Sequence, residues 1–523
     1  TNGLHSFFNL ANLNGTNGFV VEAWDSFFSR AGDINNDGIE DLIIGQPAAN
    51  PNGKSAAGTS YVVFGGSQLG ADGTVDLSDP NDSNGFVING INESDFSGYS
   101  VSNAGDINHD GIDDLFIGSL SVDPNDDGES YIVFGGSQVG ATGTLELSDL
   151  NGSNGFMIKN VGNIGISYNT AGKIISAGDI NDDGIDDLIL GSSAGANYVV
   201  FGSPQVGATG MLALSDLNGS NGFVINSIHQ AGKSVNGTGD INNDGINDLI
   251  IGASGVDPNS NENAGETYVV FGNAQIGASG AVDLSALDGS NGFVINGIDP
   301  GDASGYQLDN IGDINNDGID DLIIGAPWAD PDGKTFAGES YVVFGGSKVG
   351  ANGTVELSGL DGSNGFVLKG IDSKDETGWG EIGDRSGFSV SGIGDINKDG
   401  INDLIIGAHR ASPNGEPWAG ESYVVFGSSQ VGATGTLELS DLDGSNGFVI
   451  NGASSYDESG IIVRDAGDVN NDGIDDLIVG DYFGYMYLVF GNAPPELDLN
   501  GSAAGINHTS TFTATPIPIV ESG

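Results

Sequence analysis

The sequence predicts an all-β protein: a seven-bladed β-propeller of four-stranded antiparallel blades, its ring closed by the N-terminal strand completing the last blade. Three observations carry this. An acidic loop recurs beginning at Asp33, Asp106, Asp179, Asp240, Asp313, Asp395 and Asp468, at steps of 73, 73, 61, 73, 82 and 73 residues. Helical periodicity is almost absent, and each repeat offers four short strand-like runs broken by glycine, asparagine and serine. The two ends of the chain are offset by one strand.

Around the fifth loop the runs are clear. Strand A is "SGYQLDNIG" (304–312), and the acidic loop follows it. Strand B, "DLIIGAP" (321–327), is a continuous apolar run suited to burial on both faces. Strand C is "ESYVVFGG" (339–346), rich in β-branched and aromatic residues, and strand D is "GFVLKG" (365–370). At the start of the chain "NGFVVEA" (17–23) matches a D strand with no A, B or C before it. The last unit has A (459–467), B (476–482) and C (485–491) but no D. An N-terminal D strand that completes the seventh blade leaves no unpaired edge. The propeller is expected over residues 1–491. Residues 492–523, rich in threonine and proline, are expected to be a linker or the truncated start of a further β module.

Counted from its first aspartate, the loop has Asp at positions 1, 5 and 9, Asn at 3 and Gly at 6. Alternate residues of a tight loop point inward, and the glycine turn brings the position 7 carbonyl into the same shell. The five expected ligands of the first loop are Asp33, Asn35, Asp37, Ile39 and Asp41. The second has Asp106, Asn108, Asp110, Ile112 and Asp114; the third has Asp179, Asn181, Asp183, Ile185 and Asp187. Then come Asp240, Asn242, Asp244, Ile246 and Asp248, followed by Asp313, Asn315, Asp317, Ile319 and Asp321. The last two are Asp395, Asn397, Asp399, Ile401 and Asp403, and Asp468, Asn470, Asp472, Ile474 and Asp476. Oxygen donors carrying three negative charges suit a hard, flexibly coordinated cation, so about seven Ca2+ are expected, one per blade. The first half matches D-x-[DN]-x-[DN]-G, but position 12 of the first loop is Ile44 rather than glutamate, and strands flank the loop. Positions 4 and 8 vary and are expected to be outward bystanders.

The bulk numbers narrow the function. A net charge of −59 over 523 residues argues against nucleic acid and against anionic lipid. No cysteine means no disulfide, thiol catalysis or zinc–thiolate site. No apolar run approaches the roughly 20 residues of a membrane helix. The start at Thr1, without methionine or secretion signal, is read as that of a piece of a longer polypeptide.

"SGYSVSNAGDINHDGIDDLFIG" (97–118), "GDINNDGIDDLIIGAP" (312–327) and "GFSVSGIGDINKDGINDLIIGAH" (387–409) closely resemble FG-GAP repeats, which build the propeller head of integrin α subunits and of bacterial surface proteins. The resemblance covers roughly residues 17–491. It implies a seven-bladed propeller with calcium in the A–B loops and roles in adhesion or ligand recognition. Departures are a loop in every blade, a full GAP only at Gly325-Ala326-Pro327, no Arg-Gly-Asp tripeptide and no Asp-x-Ser-x-Ser site. Integrin-like partnering is therefore not assumed.

One region looks individual. Trp328, Trp379 and Trp418 fall in B–C or D–A connections of blades 5 and 6, with Lys334, Lys374, Arg385 and Arg410 nearby. Trp328, Trp379, Arg385, Arg410 and Trp418 are the expected ligand-binding residues, for a glycan or a surface protein. The alternative is that they only pack long loops together. The five histidines stand apart, and no nucleophile elbow, phosphate loop or zinc motif occurs. The expectation is a non-enzymatic, calcium-binding extracellular adhesion or recognition module of a larger, bacterial-type surface protein. Rival readings are a calcium-rigidified spacer and a polysaccharide-acting enzyme.

Overall fold

The computed structural model describes residues 6–23, 25–77, 84–120, 129–159, 166–167, 170–171, 174–191, 196–226, 231–232, 234–237, 239–373, 383–491 and 496–497. Strands form where the sequence places them. In blade 5, Leu308–Gly312 (A), Asp321–Ala326 (B), Glu339–Val343 (C) and Gly365–Lys369 (D) pair antiparallel in that order. Every residue of strand B is buried, as its unbroken apolar run requires. Helical structure among the described residues is confined to three-residue turns, and seven blades close the ring.

The blades are larger than the four strands expected. A fifth strand, Thr436–Glu438, runs parallel to strand D of blade 5, with Val367 opposite Thr436 and Lys369 opposite Glu438. It belongs to the following repeat, where it lies between strands C and D. The same loan recurs around the ring. These runs are two to four residues long and largely half-exposed or exposed, so they lack the apolar alternation that marks a strand in sequence.

The fifth strand doubles the ring closure. Gly18–Glu22 pairs with Tyr485–Val489 and completes blade 7, as the spare D strand predicts. Just upstream, Ser6–Asn9 lies parallel to Gly447–Asn451 and supplies the fifth strand of blade 6. The seam is also crossed near the axis, where the Arg30 guanidinium of blade 1 donates to Asp465 of blade 7 at 2.9 Å and to Glu40 at 2.7 Å. Glu496–Leu497 pairs antiparallel with the outer edge of Ser6–Phe7; the rest of 492–523 lies outside the described residues.

The core is divided among the gaps between blades, with one apolar cluster in each of the seven. Every gap repeats one aromatic contact. The phenylalanine of strand D, for example Phe366, meets the one after strand C, here Phe344, with ring centroids 5.7 to 6.0 Å apart. Burying each D-strand ring contributes about 1.5–3 kcal/mol. The glycine of the GAP-like motif answers a close approach: a Cβ on Gly325 would lie 2.1 Å from the carbonyl oxygen of Gly387 in the next blade. Gly45, Gly252 and Gly407 meet Gly98, Gly305 and Gly460 in the same way. The inner strands leave an axial cavity of about 650 Å³ lined by polar groups that include Arg30, Asp309 and Asp465.

Candidate metal centres and the rim of blades 5 to 7

Each acidic loop is the turn from strand A to strand B. Its glycine at position 6 has φ between 82° and 93°, and at six of the seven a Cβ would meet nothing within 4 Å. Backbone conformation, not space, demands glycine there. Position 4 is also left-handed, with φ of 59° to 63° from Asn36 to Asn471, which favours the Asn and Asp found at most of these positions.

The side chains at 1, 5 and 9 hold the loop in shape. Asp33 accepts from the N–H groups of Asp37 and Gly38 at 2.9 and 2.8 Å, and Asp37 accepts from Ile39 at 3.0 Å. Asp41 is fully buried and accepts from Gly65, just after strand C, at 2.9 Å. All seven position 9 aspartates repeat that bond at 2.8 to 2.9 Å. Burial, with the charges at positions 5 and 1 adding, pushes each of these carboxyls up to about 8.

The donor set fits a hard cation. In six loops the Asn at position 3 donates to the position 9 carboxylate, at 3.1 Å for Asn108 and Asp114. That spacing matches the roughly 3 Å between neighbouring oxygens of a shell with 2.3–2.6 Å calcium–oxygen bonds, and a flipped amide presents oxygen instead of nitrogen. In blade 6, Asn397 Oδ1 and Asp403 Oδ2 are buried with no hydrogen-bond partner. Even so, among the described residues no three His, Cys, Asp or Glu side chains close into a metal cluster by themselves. The expected convergence of three side chains is therefore only partial: the aspartate at position 1 is turned onto backbone N–H groups, and the Asn amide covers the buried carboxylate.

Position 8 is not a bystander. Asp113, Asp186, Asp320 and Asp475 each accept from the position 1 N–H of the preceding blade at 2.9 to 3.0 Å. Glu40 instead binds Arg30. The spacing that marks the ligands says nothing of this, because the partner lies 80 residues away.

On the opposite face, the B–C and D–A connections gather four of the five expected ligand-binding residues; Trp379 lies outside the described residues. Trp328 packs edge-on against Tyr306 at 4.7 Å, and Tyr306 leads through Phe388 to His409, at 5.1 and 4.2 Å. The Arg410 guanidinium sits 4.4 Å from the Trp418 ring centroid and 3.5 Å from a Glu458 carboxylate oxygen. Arg385 is held toward lower pKa by burial and then by Arg410, whose backbone N–H donates to the carbonyl of the neighbouring Asp384 at 3.2 Å. His409, read from sequence as standing apart, is buried inside this group. Its place directly after the Gly-Ala of strand B, where Pro327 stands in blade 5, is the signal that could have found it.

Comparison with known proteins matches the FG-GAP repeat over residues 29–63, 234–270, 304–343 and 386–425. The chain carries FG-GAP repeats. It is 28% identical over 244 residues to integrin alpha-8 of Mus musculus, covering 45% of this chain and 19% of that protein. Integrin alpha-5 of Xenopus laevis is 29% identical over 280 residues, covering 50% and 22%. Phosphatidylinositol-glycan-specific phospholipase D of Homo sapiens is 31% identical over 177 residues, covering 34% and 18%. The matched region thus spans about a fifth of each relative. A crystal structure of BBS1N in complex with ARL6DN aligns over 95% of this chain and 99% of that one, at 9% identity and a TM-score of 0.43. The acidic loops are the A–B turns of the blades. No helix among the described residues is long and apolar enough to cross a membrane.

Proposed function

We propose that this chain is a calcium-binding, extracellular recognition module of adhesion type, part of a larger surface polypeptide, and that it performs no catalysis itself. The observation that carries the reading is one oxygen donor set built seven times at the same turn, each with a buried carboxylate at position 9. Bound calcium would be held by positions 1, 3, 5 and 9 and the position 7 carbonyl, and would neutralise the carboxylates that otherwise repel one another. Its role there is to stiffen the A–B turns so that the opposite rim presents fixed side chains. Similarity to integrin α chains supports the adhesion reading. Similarity to a phospholipase D keeps an enzyme as the contrasting outcome. The rigid spacer differs from both in having no ligand.

The test is a binding screen against glycans and surface proteins, with calcium and with chelator, together with assays for polysaccharide and phospholipid cleavage. Calcium-dependent binding without turnover supports the recognition module. Turnover points to an enzyme, and no ligand from a folded, calcium-loaded chain leaves the spacer.

A further inference from the structure

The rim of blades 5 to 7 rests on a turn that the chain builds four times. The N–H groups of Phe96, Ala303, Arg385 and Glu458 donate to the carbonyls of Ala56, Asn263, Phe336 and Trp418 at 2.9 to 3.0 Å. All eight residues are left-handed, with φ between 48° and 57°. Alanine occupies this framework at Ala56 and Ala303, so the turn itself needs neither Arg385 nor Trp418. Their side chains call for another reason.

With His409 and Arg410 they leave buried polar groups without partners. The Nε of Arg385, the Nε of Arg410, the Nε1 of Trp418 and the Nδ1 of His409 are all buried with no hydrogen-bond partner. A buried unpaired polar group costs about 1–3 kcal/mol, so four in one place, three of them donors, are expensive to keep. His409 is only 2% exposed, and burial, aided by Arg410 and Arg385, holds its imidazole well below its usual range. The nearest carboxylate is Glu458, 3.5 Å from Arg410 and 3.9 Å from His409. Among the described residues Arg385 has no carboxylate within 4 Å. In a chain with 72 acidic and 13 basic residues, a pair of guanidinium groups sharing one carboxylate is not explained by scarcity of acids.

Beside these donors lie exposed ring faces. Tyr456, 51% exposed, stands 6.0 Å from Trp418, and Tyr482, 63% exposed, donates its N–H to the carbonyl of Asp457 at 2.8 Å. The large exposed apolar side chains of this rim are aromatic. Aromatic faces suit the C–H faces of sugar rings, and the two guanidinium groups suit a carboxylate. The net charge of −59 disfavours a densely charged polymer, whose further charges would lie within about one Debye length, ~10 Å at 0.1 M salt, of an acidic surface.

We propose that the rim formed by Arg385, His409, Arg410, Trp418 and Tyr456 binds a carboxylate-bearing sugar unit of an otherwise neutral glycan. The carboxylate lies against the partly exposed side chains of the two arginines, and the neighbouring neutral sugar stacks on the tyrosine. This rests on the recognition reading and assigns its ligand class.

The probe is an oligosaccharide of neutral glucose units ended by one glucuronate, titrated calorimetrically into the calcium-loaded chain. The control is the same oligosaccharide ended by glucose. Glucuronate is expected to bind at least tenfold more tightly, and Arg385→Gln to abolish the difference with an unchanged unfolding temperature. Arg410→Gln, at the second guanidinium, is expected to weaken glucuronate binding severalfold. Equal binding of the two probes, or a preference that survives Arg385→Gln, overturns the assignment. So does a peptide carboxylate that binds where glucuronate does not. A glycan or protein bound equally by parent and variants leaves the recognition module standing and removes this site. A chain that retains nothing in the wider screen removes both.

Discussion

The backbone N–H of Asp33 donates to Oδ2 of Asp113, 2.9 Å away across the gap between the first two blades. Each such bond ties the start of one acidic loop to the end of the next. Asp113→Ala leaves that N–H without its acceptor and is expected to cost about 1–3 kcal/mol, against less than ~1 for Asp113→Asn, which keeps an acceptor oxygen. Urea unfolding of the two variants checks this; equal losses would show that the bond contributes nothing.

Ring closure concentrates stability at the N-terminus. Phe8 is 3% exposed and packs in the apolar cluster between blades 6 and 7, while Phe7 is half-buried. Phe8→Ala is expected to destabilise by about 3–5 kcal/mol and Phe7→Ala by clearly less. Hydrogen exchange should then open first in blades 6 and 7. Uniform opening of all blades would mean that the seam is not the weak point.

Asp302 provides a pH test away from the acidic loops. Burial, with Glu339, Asp299 and Asp330 adding, pushes its carboxyl up to about 7. A raised folded pKa means that the native state binds the proton more tightly. The contribution is therefore fully present below the unfolded value near 4 and is lost as pH rises toward 7. Asp302→Asn, which cannot ionise, is expected to flatten the pH dependence of the unfolding temperature between about 4 and 7 relative to the parent. Parallel curves would refute the shift.

Chelation tests the loops. Calcium at one hundred times its dissociation constant adds roughly 2.7 kcal/mol for each occupied loop. Removing it is expected to lower the unfolding temperature, and magnesium to restore little. Asp321→Ala should cost one bound ion by elemental analysis and leave the loops of the other blades loaded. An unchanged ion count would exclude this loop as a site.

The repeat period, the strand runs and the spare D strand were enough to predict the propeller and its seam, because each rests on local periodicity and on counting. The buried aspartate at position 9 was legible for the same reason: it recurs at one spacing in every loop. The borrowed fifth strand was not, since Thr436–Glu438 is short, half-exposed and becomes a strand only against Gly365–Lys369 of the preceding blade. Nor was His409, whose neighbours Arg385 and Glu458 come from connections on either side of blade 6.

The sequence by itself determined the all-β class, the number of blades, the place of the acidic loops and the D strand that closes the ring. Tertiary structure alone decided that position 8 carries bonds between blades, that the N-terminus serves two blades, and that the rim donors face a shortage of acceptors. Contacts within a repeat are encoded by spacing along the chain. Those between repeats join residues some 80 positions apart, as Asp33 and Asp113 are, and exist only once the ring has closed.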